Sequence, residues 1–162
     1  MKQIDRFLLA IIVGVVALVV IALTLALTRP AQGYLDETTP GAVAHNYVLA
    51  VKQGDDERAY GYLSPELRGY PPSLEEFADD LDSYSWSFNR DSATISVAEE
   101  RITDGRAVVT INETRFYDGG LFSSGQYTNS FDVTLRRQGE AWKIVEAESY
   151  WARCWNNEDG CE

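Results

Sequence analysis

The chain has 162 residues, with 25 acidic and 14 basic side chains and a net charge of −11 at neutral pH. This excess of negative charge repels phosphate backbones, so we exclude nucleic acid as a partner. Four Trp, nine Tyr and six Phe supply enough apolar surface for a packed core, which excludes a disordered acidic tail.

The first predicted element is an uncharged apolar run from Phe7 to Thr28. As a helix it would be about 33 Å long, enough to cross a hydrocarbon core of about 30 Å. Lys2 and Arg6 precede it as in a signal peptide, but the run exceeds the roughly 7 to 15 apolar residues of a secretory signal, so we favour an uncleaved anchor. The positive-inside rule then makes residues 1–6 a cytoplasmic tail of a single-pass cell-membrane protein whose remainder is extracytoplasmic.

Residues 29–39 contain Pro, Gly and acidic side chains and predict a short linker. Thr39 followed by Pro40 is typical of a helix start, and the apolar stripe beyond it predicts a helix over 40–53. Gly54 is a suitable helix stop.

Two shorter helices follow. Asp55 is a suitable N-cap for a helix that ends before Pro65. Ser73 with Glu76 three residues later forms a capping box, which predicts a helix over 74–82.

Beyond Asp82 the apolar residues alternate with polar ones, as in strands. The alternation begins at Tyr84 and ends near Trp151, with turns at Asp104–Gly105 and at Gln138–Gly139. Helices followed by an antiparallel meander predict an α+β fold, with about three helices packed on one face of a curved antiparallel sheet after the transmembrane helix.

Cys154 and Cys161 are the two cysteines of the chain, both within the sequence CWNNEDGC. Outside the cytoplasm, thiols this close pair readily, so we expect a disulfide loop in a C-terminal tail over 152–162. Free thiols and a fragment of a metal site are the alternatives.

Two stretches carry a resemblance to a known family: AHNYVLAVKQGDDERAYGYLSPELR and VTLRRQGEAWKIVEAE. Both resemble extracytoplasmic members of the nuclear-transport-factor-2-like superfamily, the cone-shaped fold shared with ketosteroid isomerases. In such domains the first helix ends at a Gly-Asp step, the second closes at Leu-Ser-Pro, and a late strand carries Gly-x-x-Trp-Lys-Ile. The resemblance implies a cone-shaped domain over 40–151, and a scaffold of this kind does not by itself imply an activity.

No catalytic, cofactor-binding or metal-binding residue is assigned. His45 lies off the apolar stripe of its helix, so we expect a surface or rim position. The acidic runs lack the spacing and glycine of a calcium loop, and the segment Asn156–Gly160 is the best-placed stretch for a cation. Five aromatic side chains are candidates to line a pocket between helices and sheet, with simple core filling as the alternative: Trp86, Phe88, Tyr117, Tyr127 and Phe131.

These observations favour a non-catalytic binding or interaction domain, anchored in the lipid bilayer through residues 7–28. Its partner would be another envelope protein, a second copy of the chain or a small apolar molecule. The alternative is a ketosteroid-isomerase-like or dehydratase-like enzyme acting on a small apolar molecule in the cone pocket. That alternative requires a hollow of roughly 300 Å³ or more with a carboxylate whose pKa is raised.

Overall fold

The computed structural model describes residues 6–27, 32–84, 93–118 and 124–161. The chain divides into two compact units, Met1–Gly33 and Tyr34–Glu162. The described helices and strands, in chain order, are α1 (Arg6–Leu27), α2 (Pro40–Gln53), α3 (Asp56–Tyr62), α4 (Leu74–Ser83), β1 (Thr94–Thr103), β2 (Arg106–Asp118), β3 (Ser124–Gln138), β4 (Ala141–Ala147) and a 3₁₀ turn (Arg153–Asn156).

The prediction of a transmembrane helix over residues 7–28 is wrong, because no helix among the described residues is both long and apolar enough to cross a membrane. The single-pass topology, the cell-membrane location and the bilayer as a partner are withdrawn with it. The predicted fold class is corrected to mixed α+β, with no membrane-spanning helix among the described residues.

The three helices of the second unit begin where their capping residues predict. Thr39 Oγ1 accepts a hydrogen bond from the backbone N–H of Ala42, and Ser73 Oγ accepts one from Glu76. Gly54 ends α2 in the left-handed region, at a φ of 71°.

The four strands form one antiparallel sheet in the order β1-β2-β3-β4. The predicted hairpin turn between β1 and β2 is confirmed, with φ of 49° at Asp104 and 77° at Gly105. Strand β4 ends at Ala147, short of the predicted Trp151, and Tyr150 beyond it has a φ of 60°. The start of the predicted alternation beyond Tyr84, over residues 85–92, lies outside the described residues.

Helix α2 packs across one face of the sheet and contacts all four strands. The core between them contains the inward residues of β2 and β3, such as Ile111 and Leu135, together with Tyr47 and Val51 of α2. At the other end, Phe77 of α4 stacks on Trp155 with ring centroids 5.3 Å apart. Aromatic side chains such as Tyr47, Phe77 and Trp155 fill the space between the helices and the sheet.

His45 is buried, so the prediction of a surface or rim histidine is wrong. Every residue of α2 from Pro40 to Val51 is buried, not only its apolar stripe. The neighbouring Asn46 shows one reason, since its side-chain amide forms hydrogen bonds with both backbone groups of Leu35, at 2.7 and 2.8 Å. The segment that begins at Tyr34 thus covers the side of α2 that the sheet leaves open.

Candidate functional site

A groove of about 470 Å³ lies between α3 and β4, and we call it the α3–β4 groove. Its walls are mostly polar side chains of α3 and of the segment before α2. The residues that line the groove include Glu37, Asp55, Glu57, Arg58, Gly61, Tyr62, Ala141, Trp142 and Lys143.

Arg58 organises the charges of this groove. Its guanidinium lies 4.0 Å from the ring centroid of Tyr34 and 3.5 Å from carboxylate oxygens of both Glu37 and Asp55. The Tyr62 hydroxyl donates to Glu37 Oε1 at 2.6 Å. Lys143 also lines the groove and donates to the backbone carbonyl of Gly61 at 2.5 Å, so three carboxylates and two cations line it.

Tyr34, next to Arg58, is held by a hydrogen bond from its hydroxyl to Asp55 Oδ2 at 2.9 Å. Burial, and then this bond to a carboxylate, raise the pKa of Tyr34 to about 12. The phenol therefore remains a neutral hydrogen-bond donor at physiological pH.

The second site is a buried ionic cluster around Glu113, the one acidic side chain in the buried class among the described residues. Lys52 Nζ lies 2.9 Å from Glu113 Oε1, although these two side chains are only 6% and 2% exposed. Tyr150 donates its hydroxyl to the same oxygen at 2.6 Å, and Arg115 Nη2 lies 3.1 Å from both carboxylate oxygens. Tyr47 donates its hydroxyl to the backbone carbonyl of Tyr150. The cluster thus joins α2, β2 and the segment after β4.

The protonation states of this cluster follow from its contacts. Burial opposes the charge of Glu113, but hydrogen bonds from Tyr150 and Lys52, together with the positive charge of Lys52, outweigh it and lower the pKa of Glu113. Burial, and then the bond to Glu113, raise the pKa of Tyr150. Glu113 is therefore a fixed carboxylate and Tyr150 a fixed phenol near neutral pH, so neither is poised to exchange a proton.

Of the five aromatic residues predicted to line a pocket, the structure describes the side chains of two, Phe131 and Tyr127. Phe131 is 4% exposed and packs on Tyr150, with ring centroids 5.7 Å apart. Tyr127 is 60% exposed. Tyr117 belongs to β2, and its side chain lies outside the described part, as do Trp86 and Phe88. Of the described members, Phe131 fills the core and Tyr127 faces solvent.

Cys154 and Cys161 form a disulfide, with Cα atoms 4.9 Å apart. Asp80 of α4 lies beside them, and the carboxylate and the two sulfurs are all within 4.8 Å of one another. In the described residues this is the one group of three or more potential metal ligands. While the disulfide is closed, the sulfurs are not thiolate ligands.

We compared the chain with protein families, curated proteins and solved structures. No protein-family model matches the chain, and no curated protein matches it. A SEC-C motif containing protein from Rhodopseudomonas palustris is similar with a TM-score of 0.47 and 15% identity, over 70% of this chain and 80% of that one. A putative calcium/calmodulin-dependent protein kinase type II association domain from Thiobacillus denitrificans is similar with a TM-score of 0.49 and 14% identity, over 67% of this chain and 91% of that one.

Sequence reasoning missed both the α3–β4 groove and the Glu113 cluster. Glu113 carries a weak signal, because it occupies an inward position of β2 in alternation with Val109 and Ile111. A charge at such a position needs a buried partner, but nothing in the sequence shows that the partner is Lys52, on another element.

Proposed function

We propose that the unit Tyr34–Glu162 is a non-catalytic protein-binding domain, and that its partner docks in the α3–β4 groove with a basic segment. The observation that carries this proposal is the composition of the groove. The three carboxylates of Glu37, Asp55 and Glu57 outnumber the two cations Arg58 and Lys143 in its lining. Trp142 and Tyr62, of types that contribute strongly at protein interfaces, also line it, although they are only 9% and 6% exposed. A net charge of −11 adds long-range attraction for a cationic partner.

The filled interior supports protein association over uptake of a small apolar molecule. Tyr47, Tyr150, Phe77 and Trp155 are fully buried between the helices and the sheet, where an apolar ligand would otherwise lie. Apolar ligand pockets are concave and largely preformed, and the α3–β4 groove is instead open and mostly polar.

The isomerase-like or dehydratase-like alternative needs a carboxylate of raised pKa beside a hollow. The buried carboxylate of Glu113 has a lowered pKa and is held by Lys52 and Arg115. No described feature favours the alternative, so we do not retain it.

Membership in the nuclear-transport-factor-2-like superfamily remains a proposal that rests on the sequence motifs. Their positions agree with it: Gly54–Asp55 follows α2, Leu63–Ser64–Pro65 follows α3, and Trp142–Ile144 lies on β4. Leu63 also bridges to Ile144, which brings two of the three motifs into contact.

Site-specific photo-crosslinking tests the binding proposal. A photoreactive residue replaces Gly61, which lines the groove and where an added Cβ would meet no atom within 4 Å. The matched control carries the same residue at Thr128, which is exposed on β3 and does not line the groove.

We expect position 61 to give a discrete crosslinked protein in the source cells. Glu37→Lys together with Glu57→Lys should reduce its yield at least about tenfold, because both substitutions replace negative charge at the groove by positive charge. A titration with an apolar fluorescent dye should show no saturable site. Equal crosslinking at positions 61 and 128, or a yield unaffected by the two substitutions, would reject the groove as the docking site.

A further inference from the structure

The two cysteines have a third potential ligand that is distant in sequence. Asp80 lies on α4, and its carboxylate approaches the sulfurs of Cys154 and Cys161 to within 4.8 Å. Sequence spacing alone provides two ligands in the CWNNEDGC segment, which is too few for a metal site, whereas the folded chain provides three.

The carboxylate of Asp80 is already oriented toward this site. Trp155 Nε1 donates to Asp80 Oδ2 at 2.7 Å, while the Trp155 ring is clamped between Phe77 and Trp151, with ring centroids 5.3 and 4.8 Å away. A hydrogen bond of this kind to one oxygen fixes the rotamer of a ligating carboxylate and leaves its other oxygen for an ion.

Solvent and ions have access to the same place. A hollow of about 400 Å³ reaches Asp80 and Cys161, and Glu76, Asp159 and the Arg68–Glu158 ion pair also line it. The acidic groups outnumber the one arginine, and this excess of negative charge raises the local concentration of divalent cations. The hollow also has room for a water molecule as a fourth ligand.

We propose that reduction of the Cys154–Cys161 disulfide creates a zinc site, in which the two thiolates and the Asp80 carboxylate bind one Zn²⁺ and water completes a tetrahedron. Two thiolates with one carboxylate form a donor set that zinc accepts, at Zn–S distances of about 2.3 Å. The sulfurs must then separate to about 3.7 Å. Cys161 is exposed, so its side chain is free to rotate by that amount.

The redox step needs a reductant of the dithiol class. The dithiol supplies two electrons and two protons, becomes a disulfide itself, and converts the Cys154–Cys161 bond into two thiols. Binding of Zn²⁺ then releases both thiol protons to solvent. The oxidation state of one bond would thus decide whether the chain carries zinc.

Zinc affinity of the full chain tests the proposal. The protein is prepared oxidised and, separately, reduced with a phosphine that is then removed, and Zn²⁺ is titrated in competition with a chromophoric chelator. We expect one Zn²⁺ per chain in the reduced form, bound at least about 100-fold more tightly than in the oxidised form. Co²⁺ in its place should give an ultraviolet thiolate charge-transfer band only after reduction.

Two variants identify the ligands. Asp80→Asn should weaken zinc binding at least about tenfold, whereas Asp79→Asn, at the exposed neighbouring position, should not. Cys161→Ser should abolish tight binding, and circular dichroism shows whether the variant remains folded. Equal affinity in the two redox forms would overturn the proposal, and equal affinity of the Asp80 and Asp79 variants would remove the carboxylate from the site.

Discussion

Glu113 and Lys52 show how strongly the cost of burying a charge depends on its neighbours. An isolated ion in the protein interior is very unfavourable, and removing one member of a buried pair leaves the other in that state. Here Glu113 accepts hydrogen bonds from three side chains, so its charge is compensated within the fold. The cluster therefore stabilises the junction of α2 with β2 as long as all its members are present.

Lys52→Met should reduce the free energy of unfolding by about 3 kcal/mol, because it leaves Glu113 buried with Arg115 as its remaining cation. Arg101→Met is the matched control, since Arg101 pairs with Glu99 at an exposed position. It should cost less than about 0.5 kcal/mol. Urea unfolding followed by tryptophan fluorescence measures both, and equal losses would contradict the role assigned to the buried pair.

Glu113 should also give stability a dependence on acid pH. Its pKa in the folded protein is below the ordinary value of 4.5, so its stabilising contribution is complete above about pH 4.5 and is lost as the pH falls through the folded value. Glu113→Gln should be less stable than wild type at pH 7, and this difference should shrink between pH 5 and pH 3. Unfolding curves across that range test this, and a constant difference would count against it.

At the level of elements, two glycines that the sequence does not distinguish differ in the space available for a side chain. Gly61, in α3, leaves open space around an added Cβ. Gly69, between α3 and α4, would place a Cβ 2.6 Å from the backbone oxygen of Cys154 and 2.8 Å from that of Asn157. The Gly69 N–H also donates to the backbone oxygen of Trp155 at 3.1 Å. Gly69 thus permits the close approach of two backbone segments.

Gly69→Ala should destabilise the protein by about 2–3 kcal/mol, because backbone atoms cannot move aside as a flexible side chain can. Gly61→Ala should stabilise it by about 0.5 kcal/mol, since alanine is the better helix former. Thermal unfolding of both variants should therefore shift the midpoint in opposite directions. A neutral Gly69→Ala variant would mean that the 3₁₀ turn does not need this contact.

At the scale of the whole unit Tyr34–Glu162, the disulfide closes a short loop next to α4. Cys154 and Cys161 are seven residues apart in sequence. The loop carries Trp155, which is fully buried against Phe77. A constraint on this loop therefore stabilises one end of the core.

Replacing both cysteines by serine should lower the free energy of unfolding by about 2.5 kcal/mol on the chain-entropy model for a loop of this size. Reductant, with a zinc chelator present, should destabilise the wild type similarly and leave the double variant unchanged. Guanidinium unfolding with and without reductant gives the comparison. A wild-type midpoint that is insensitive to reductant would show that the loop is held by packing alone.

Much of the local structure follows from the sequence alone. Thr39, Gly54 and Ser73 predict helix ends that the structure places at the same residues, and Asp104–Gly105 predicts the turn between β1 and β2. These features depend on hydrogen bonds and backbone conformations within a few residues, so short stretches of sequence carry the information. The net charge also needs no fold, and the prediction that the chain does not bind nucleic acid rests on it alone.

Only the tertiary structure decided which distant side chains meet. It buried His45, joined Glu113 to Lys52, and brought Asp80 to the cysteines. It also gave no helix among the described residues that is long and apolar enough to cross a membrane, against the prediction for residues 7–28. Such contacts depend on how whole helices and strands pack against one another. A local sequence pattern does not specify which distant element will pack on it.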